Sequence, residues 1–542
     1  MSGDNLGGHD RRRMAHADED VTTLVKFVGN LLQGGFTLLA PAVRQASAPS
    51  VSPAVPEVPV EQIVLEPLRV LQPRVVRGAR RLLSRSFIVL ALTIGVLLLP
   101  TPPGLSPEGH RALAAFVFTG SILALEPVSL PIAALMVPAA EVLLGVATIG
   151  QALEPFSRPT VFLVLASLFL AEALRKHGLT RRLALSTMVF SGGGTLQVLL
   201  GIMGVAAFFS MWVENTATAA VLIPVAMTIS RQVPDPKKAR GFLILLVLGI
   251  AYSASLGGMV TIMGSASNAV ASDFLSQIVP WTFVDWMKYG LPAFLLIFPV
   301  TWWLLHRLVP VEVDRLDVEP ARADLKKQGP MSPTEKIIAR TMAVAIFFWV
   351  TGPFIEKGLG LPPTILSSTM IAILTVGFLS ARQVITWEDV KGVSWGIFFI
   401  IGAGLSLGET LTRTGTTDWF AELITPLVVG PPILFSLLFL VYLSALLTNL
   451  LNNTTIAAVF VPILISVAKT DPSINALQLV MPVTLATTFG YSLPSASGRM
   501  ALVASTGIVG RSEMMRYGLI MTMVSAGILG LFFYVLTVLG LI

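Results

Sequence analysis

Apolar runs of about 15–25 residues recur from residue 86 almost to the C-terminus, separated by short polar stretches. A helix rising 1.5 Å per residue needs about 20 such residues to cross a hydrocarbon core of about 30 Å. The pattern predicts spans at about 86–100, 110–126, 129–147, 159–175, 240–263, 287–307, 336–355, 362–380, 393–412, 476–492 and 515–541. Two more apolar stretches, about 195–230 and 431–468, are each interrupted midway by a polar cluster. Read as re-entrant hairpins, they leave eleven full crossings. The expected fold class is an all-α polytopic membrane protein.

Composition agrees. Charged residues make up 13% of the 542 positions and hydrophobic ones 54%, against about 25% charged in a soluble domain. The chain has no cysteine, which removes disulfides, thiolate metal sites and cysteine nucleophiles. Its five histidines are scattered, with no pair at metal-ligand spacing. The net charge of +6 is accounted for by basic loops on one side of the membrane, so no nucleic-acid partner is expected.

Residues 1–85 read as a basic cytoplasmic tail. Its stretch ASAPSVSPAVPEVPVE, at 46–61, is an extended Pro/Ser-rich linker. With the tail inside, Arg175, Lys176, Arg181, Arg182, Lys237, Lys238, Arg315, Lys326, Lys327, Arg382, Lys391 and Arg511 all fall in cytoplasmic loops. The N-terminus is therefore expected in the cytoplasm of a cell membrane and the C-terminus outside. The expected divisions are a first half at 86–310, a cytoplasmic linker at 311–335 and a second half at 336–542.

The two interrupted stretches resemble each other. The first reads NTATAAVLIP from Asn215 to Pro224, the second NTTIAAVFVP from Asn453 to Pro462, at a constant offset of 238. A Ser-Ala-Ser triplet follows each, at Ser265–Ser267 and Ser495–Ser497. One hairpin opens inward and the other outward in the topology above, so the halves form an inverted repeat, an architecture of secondary transporters. Irregular backbone at membrane depth is tolerated where it is buried by protein or lines a cavity. Helix N-termini at the tips suit an anion, while carbonyls and asparagine oxygens suit a small hard cation.

At these residues the chain resembles the divalent anion/sodium symporter family, whose members carry dicarboxylates, citrate or sulfate. The tip triplets Glu214-Asn215-Thr216 and Asn452-Asn453-Thr454 stand where the family has Ser-Asn-Thr. GGMVTIMGSASN, from Gly257 to Asn268, is close to its Gly-Gly-x-x-Thr-x-x-Gly-Thr-Pro-Pro-Asn break, and LPSASGRM, from Leu493 to Met500, fits more loosely. The resemblance spans about 86–542. It implies an elevator-type homodimer with sodium as coupling ion and no other cofactor. It further implies cation ligands around Ser210, Asn215 and Gly264, and around Thr448, Asn453 and Ala496. The substrate carboxylates would meet Asn215, Thr216, Ser265, Asn453, Thr454 and Ser497.

Glu214 departs most from that pattern, because a carboxylate at membrane depth is a functional hypothesis by default. Three roles stay open for it: cation ligand, proton carrier, or charge pair with Arg499. An exchange-type or proton-coupled anion carrier, or a sodium/proton antiporter relative, is the alternative function. Glu172 is read as snorkelling or paired with a basic neighbour and Glu126 as a helix-end or scaffold contact, while Glu409 is a candidate for a role at the site. His110 and His306 are expected at solvated interfaces, and Trp281, Trp286, Trp302, Trp303 and Trp387 in interfacial belts. A membrane-embedded enzyme lacks a catalytic constellation, and a channel would not need inverted broken hairpins.

Overall fold

The computed structural model describes residues 84–542, apart from 363, 472 and 473. The tail expected at 1–85 lies outside the described residues but for its last two positions. The described chain is helical, apart from an isolated antiparallel bridge between Gly194 and Arg315.

Among the described residues, five single helices are long and apolar enough to span: Pro236–Gly258, Phe283–Leu308, Pro333–Leu359, Asn453–Thr470 and Arg511–Val538. A sixth candidate is a pair, Ile149–Ser157 and Pro159–Lys176, bent by 48°. Other expected spans are shorter apolar helices, among them Ser84–Leu98, Leu130–Leu143 and Ser368–Ala381. Asn453–Thr470 belongs to a polar-interrupted stretch rather than to an expected full span. The span expected at 476–492 stops as an α-helix at Ala486, continues as a short 3-10 turn and gives way to irregular backbone.

Helix ends follow local chemistry. Ser332 caps Pro333–Leu359 by accepting from the Glu335 N–H at 3.1 Å, and Glu335 accepts from the Ser332 N–H at 2.7 Å. Pro333 supplies a pre-set φ at the first helical position. Asp235 caps Pro236–Gly258 in the same way through the N–H groups of Lys237 and Lys238.

Both predicted hairpins are helix pairs: Thr195–Ser210 with Asn215–Ser230, and Ile433–Leu447 with Asn453–Thr470. Pro236–Gly258 packs on both helices of the first pair, and Ala476–Ala486 on both helices of the second. Partners then cross between the halves. The short helix Gly498–Ser505 packs on Asn215–Ser230, and Ala266–Ser276 packs on Asn453–Thr470. Against Asn453–Thr470 also lies Gly396–Arg413, which approaches closely at two glycines. A Cβ on Gly404 would lie 3.1 Å from Ala458 Cβ, and one on Gly408 3.0 Å from the Ala458 carbonyl oxygen. Glycines let helices approach closely where no water-driven hydrophobic effect helps them associate.

Several aromatic and histidine side chains pack where an interface was expected. Trp286 is fully buried and donates to the Met259 carbonyl at 3.0 Å; Trp302 donates to the Leu196 carbonyl. Each indole thus finds an acceptor inside the bundle, which removes its reason to sit at the headgroups. Trp303 and Trp387 do stand exposed. His110 is buried rather than solvated, with its ring nitrogens near Thr101 Oγ1 and the Val96 carbonyl.

Candidate functional site

Four helices begin at the centre of the bundle, at Asn215, Ala266, Asn453 and Gly498, each preceded by a non-helical residue. Free N–H groups gather where helices begin, so this is a convergence of partial positive charge contributed by both halves.

In the first half, the Asn215 amide lies 2.7 Å from Ser210 Oγ, 2.7 Å from the Gly264 carbonyl and 3.0 Å from the Ala254 carbonyl. Its two orientations differ only in the hydrogen-bond network they make. With Nδ2 inward, its two N–H groups are shared among the three oxygens. With Oδ1 inward, it accepts from the Ser210 hydroxyl and adds an oxygen to a cluster that the two carbonyls already share. Gly258 closes the floor of this cluster, since a Cβ there would lie 1.9 Å from Asn215 Oδ1. The expected first set, Ser210, Asn215 and Gly264, is thus brought together.

In the second half, Thr448 Oγ1 lies 2.6 Å from Asn453 Oδ1 and 2.8 Å from the Thr487 carbonyl. A Cβ on Gly490 would sit 3.1 Å from the Thr448 carbonyl oxygen, 3.2 Å from Ala496 Cβ and 3.5 Å from Asn453 Oδ1. Thr448 and Asn453 thus pair as Ser210 and Asn215 do, and Ala496 packs close by through its Cβ.

The breaks lie between these clusters. Asn268 donates through Nδ2 to the carbonyls of Gly258 and Thr261, at 2.9 and 2.8 Å, and so fixes the first break. Ser265 Oγ lies 2.9 Å from Ser267 Oγ, which in turn lies 3.0 Å from Thr487 Oγ1 of the other half. Thr216 touches the second break, since a Cβ on Gly498 would be 2.8 Å from its Oγ1. Thr454 packs toward Gly404. Ser497 Oγ and Asn268 Oδ1 are buried without a partner, as donors and acceptors facing a ligand are.

Glu214 and Arg499 correct an expectation: they form no ion pair within 4.0 Å. Glu214 turns back on its own helix, where Oε2 accepts from the N–H groups of Thr216 (2.8 Å) and Ala217 (3.2 Å) and Oε1 from Thr216 Oγ1 (3.1 Å). A helix N-terminus is a nearer source of donors than the other half's arginine. Arg499 is buried, donates to the Thr488 carbonyl at 2.8 Å, and leaves Nε without a partner.

A cavity of about 300 Å³ leads from Glu214, Thr216 and Ala217 to Glu172, Arg175 and Gly392. At its far end Glu172 and Arg175 hold each other through two hydrogen bonds, as expected of Glu172. Close by, Lys176 Nζ donates to Asp389 at 2.7 Å and holds that carboxyl at about 2, below the usual carboxylate range.

Glu409 lies away from the tips, bound to Arg158 at 2.6 Å. Glu126 ends its helix in the left-handed conformation, as a helix-end residue. Glu141 was not anticipated: it is fully buried between Leu130–Leu143 and Gly396–Arg413 and accepts from Ser406 (2.7 Å) and Thr410 (3.2 Å). A glutamate inside the apolar run 130–143 was the signal. Among the described residues, no group of three or more histidines or carboxylates could hold a metal ion.

Residues 80–540 match the family model described as the sodium:sulfate symporter transmembrane region. An uncharacterized transporter of Haemophilus influenzae is 31% identical over 77% of this chain and 90% of its own length. The sodium-dependent dicarboxylate transporter SdcS of Staphylococcus aureus is 27% identical over 75% of this chain and 82% of its own. Among solved structures, the YdaH transporter of Alcanivorax borkumensis shares the fold, with a TM-score of 0.50, 13% identity, and coverage of 85% of this chain and 98% of that one.

Proposed function

The chain belongs to the sodium:sulfate symporter family, and on that premise we propose that it is a sodium-coupled secondary transporter of a small divalent anion of the dicarboxylate, citrate or sulfate type. The observation that carries this reading is the pair of matching oxygen clusters, around Asn215 and around Asn453, each at the start of a central helix. Uncharged oxygens, carbonyl, hydroxyl and amide, are the donor set of a hard monovalent cation. Turning the Asn215 amide from Nδ2-inward to Oδ1-inward converts a self-satisfied cluster into a cation ligand set. Two sodium ions bound there as cargo would supply the countercharge for a dianion at Asn215, Thr216, Ser265, Asn453, Thr454 and Ser497, in a site of low dielectric. That a relative is a sodium-dependent dicarboxylate transporter supports this reading.

The chain works as a homodimer by an elevator movement. Both hairpins, the broken helices and the oxygen clusters travel together, sliding along the glycine seam of Gly396–Arg413. With the N-terminus cytoplasmic, the cavity beside Glu214 opens to the cytoplasm.

Proteoliposomes carrying the full chain, with an inward sodium gradient, are expected to take up at least one of radiolabelled succinate, malate, citrate and sulfate. Sodium should stimulate that uptake over potassium by about 5–150-fold, the range of ordinary coupling energies. No uptake of any of the four, under any cation gradient, overturns the reading.

A further inference from the structure

Glu141 is fully buried where Leu130–Leu143, Ile149–Leu153 and Gly396–Arg413 pack together, and the transport reading above gives it no part. Its surroundings can be counted hydrogen by hydrogen. Ser406 Oγ lies 2.7 Å from Glu141 Oε2 and 2.8 Å from the Ala152 carbonyl oxygen, both ordinary lengths for an O–H···O bond. A serine hydroxyl has one hydrogen and a carbonyl has none. With Glu141 ionised, that hydrogen serves one of the two contacts, and the other sets lone pair against lone pair. A proton on Oε2 completes both: Glu141 donates to Ser406, and Ser406 donates to the Ala152 carbonyl.

Two further observations agree. Glu141 Oε1 is buried without a partner, which costs far less for the carbonyl oxygen of a neutral acid than for half of an anion. Arg413, the basic group that acts on Glu141, is engaged elsewhere. Its Nη2 donates to the Val146 carbonyl at 2.8 Å and to Thr410 Oγ1 at 3.3 Å, and it makes no ion pair with Glu141 within 4.0 Å. A guanidinium one hydroxyl away from an ionised carboxylate has every electrostatic reason to close on it. The other charged residue of Gly396–Arg413, Glu409, is itself an acid and is bound to Arg158. Ile149–Leu153 bears no titratable side chain. Pro107–Leu125, which also packs on Leu130–Leu143, bears Glu108, His110 and Arg111, with His110 turned to Thr101 and the Val96 carbonyl.

We propose that Glu141 is a proton-binding site: it holds a proton at neutral pH and uses it to tie Gly396–Arg413 to Leu130–Leu143 and, through Ser406, to Ile149–Leu153. Ser406 and Thr410 are four residues apart on one face of their helix. Gly404 and Gly408, each two positions earlier, stand about 200° around it, where they meet Ala458 of the second hairpin. The protonated acid thus holds from behind the helix on which that hairpin rests. Its bonded partners belong to neither oxygen cluster, so Glu141 is a positioning residue. The proton stands whatever the chain carries, while its effect on uptake rests on the transport reading above.

The test uses the full chain in proteoliposomes at neutral pH. Infrared difference spectra in D2O are read for the carbonyl band of a protonated carboxylic acid, which an ionised carboxylate lacks. The wild-type chain is expected to show a band that disappears in both Glu141→Gln and Glu141→Leu. Sodium-driven uptake is measured beside it, with whichever of succinate, malate, citrate and sulfate the wild type takes up. Glu141→Gln keeps a donor for Ser406 and should hold the maximal rate within about twofold, whereas Glu141→Leu, which has none, should lower it about fivefold or more with KM unchanged. A wild type without the band, or a band equal in both variants, overturns the proton assignment, whether the carboxylate is then bare or holds a sodium ion. A lost band with full uptake by Glu141→Leu overturns the positioning role. No uptake by the wild type overturns the transport reading, and the infrared result still decides the proton.

Discussion

Gly258→Ala is expected to abolish sodium-driven uptake in a chain that still folds, whereas Gly257→Ala is expected to prevent folding. The difference lies in what each added methyl meets. At Gly258 the nearest atoms belong to one side chain, with Asn215 Oδ1 at 1.9 Å, Cγ at 2.7 Å and Nδ2 at 2.9 Å. The asparagine can turn aside, and when it does the oxygen cluster around Ser210, Asn215 and Gly264 is dismantled. Losing about 3 kcal/mol of binding at that cluster slows transport by about a hundredfold. At Gly257 the obstacle is backbone, with Ala207 O at 2.1 Å and its carbonyl carbon at 2.6 Å. Only the whole helix Thr195–Ser210 could yield, and its packing on Pro236–Gly258 forbids that. The check is monodispersity in detergent beside sodium-dependent uptake. Gly258→Ala with normal sodium dependence would refute the assignment of the cluster.

Arg182→Ala is expected to cost about 2–3 kcal/mol, somewhat less than the 3–5 kcal/mol of a fully buried pair. The arginine forks onto Glu335, through Nε at 2.7 Å and Nη2 at 3.3 Å, and gives Nη1 to the Gly329 carbonyl at 2.8 Å. Its side chain is 13% exposed and that of Glu335 is 7% exposed, so removing either leaves the other charge poorly solvated. Arg182→Lys keeps the charge but cannot reproduce the planar fork, and should recover only part of the loss. Thermal unfolding in detergent measures both, and a double-mutant cycle with Glu335→Ala isolates the pair. A midpoint unchanged in Arg182→Ala would show that the contact is not kept in solution.

The parts of the fold that were legible from sequence are those set by repetition and length. The motif at Asn215 and its copy at Asn453 each mark the start of a helix. The oxygen clusters were legible only through family resemblance, because Gly264 contributes a backbone carbonyl, which leaves no signature in residue type. Glu214 was visible as an anomaly, but not what it binds. An arginine in the other half is a sequence-level partner, while the N–H groups of Thr216 and Ala217 belong to every helix start and so suggest nothing in particular. Trp286 and His110 were misplaced because amphipathic rings favour interfaces on average, and here a single carbonyl apiece overrides that average. Glu141 went unseen because its partners, Ser406 and Thr410, lie more than 260 residues away.

The segment joining the halves, expected as a linker at 311–335, is bonded to what precedes it. The Leu316 N–H donates to the Gly193 carbonyl at 2.8 Å, the Thr195 N–H to the Asp314 carbonyl at 3.1 Å, and the Arg315 side chain to the Gly192 carbonyl. During synthesis, the first hairpin therefore waits for residue 316 to leave the ribosome before its base is closed. A first half ending at 310 would lack that closure and offer open backbone to a chaperone or a protease. Extended past Gly329, it would carry its own clasp. For co-expression of two fragments, the workable cut lies after the short helix Glu319–Gln328.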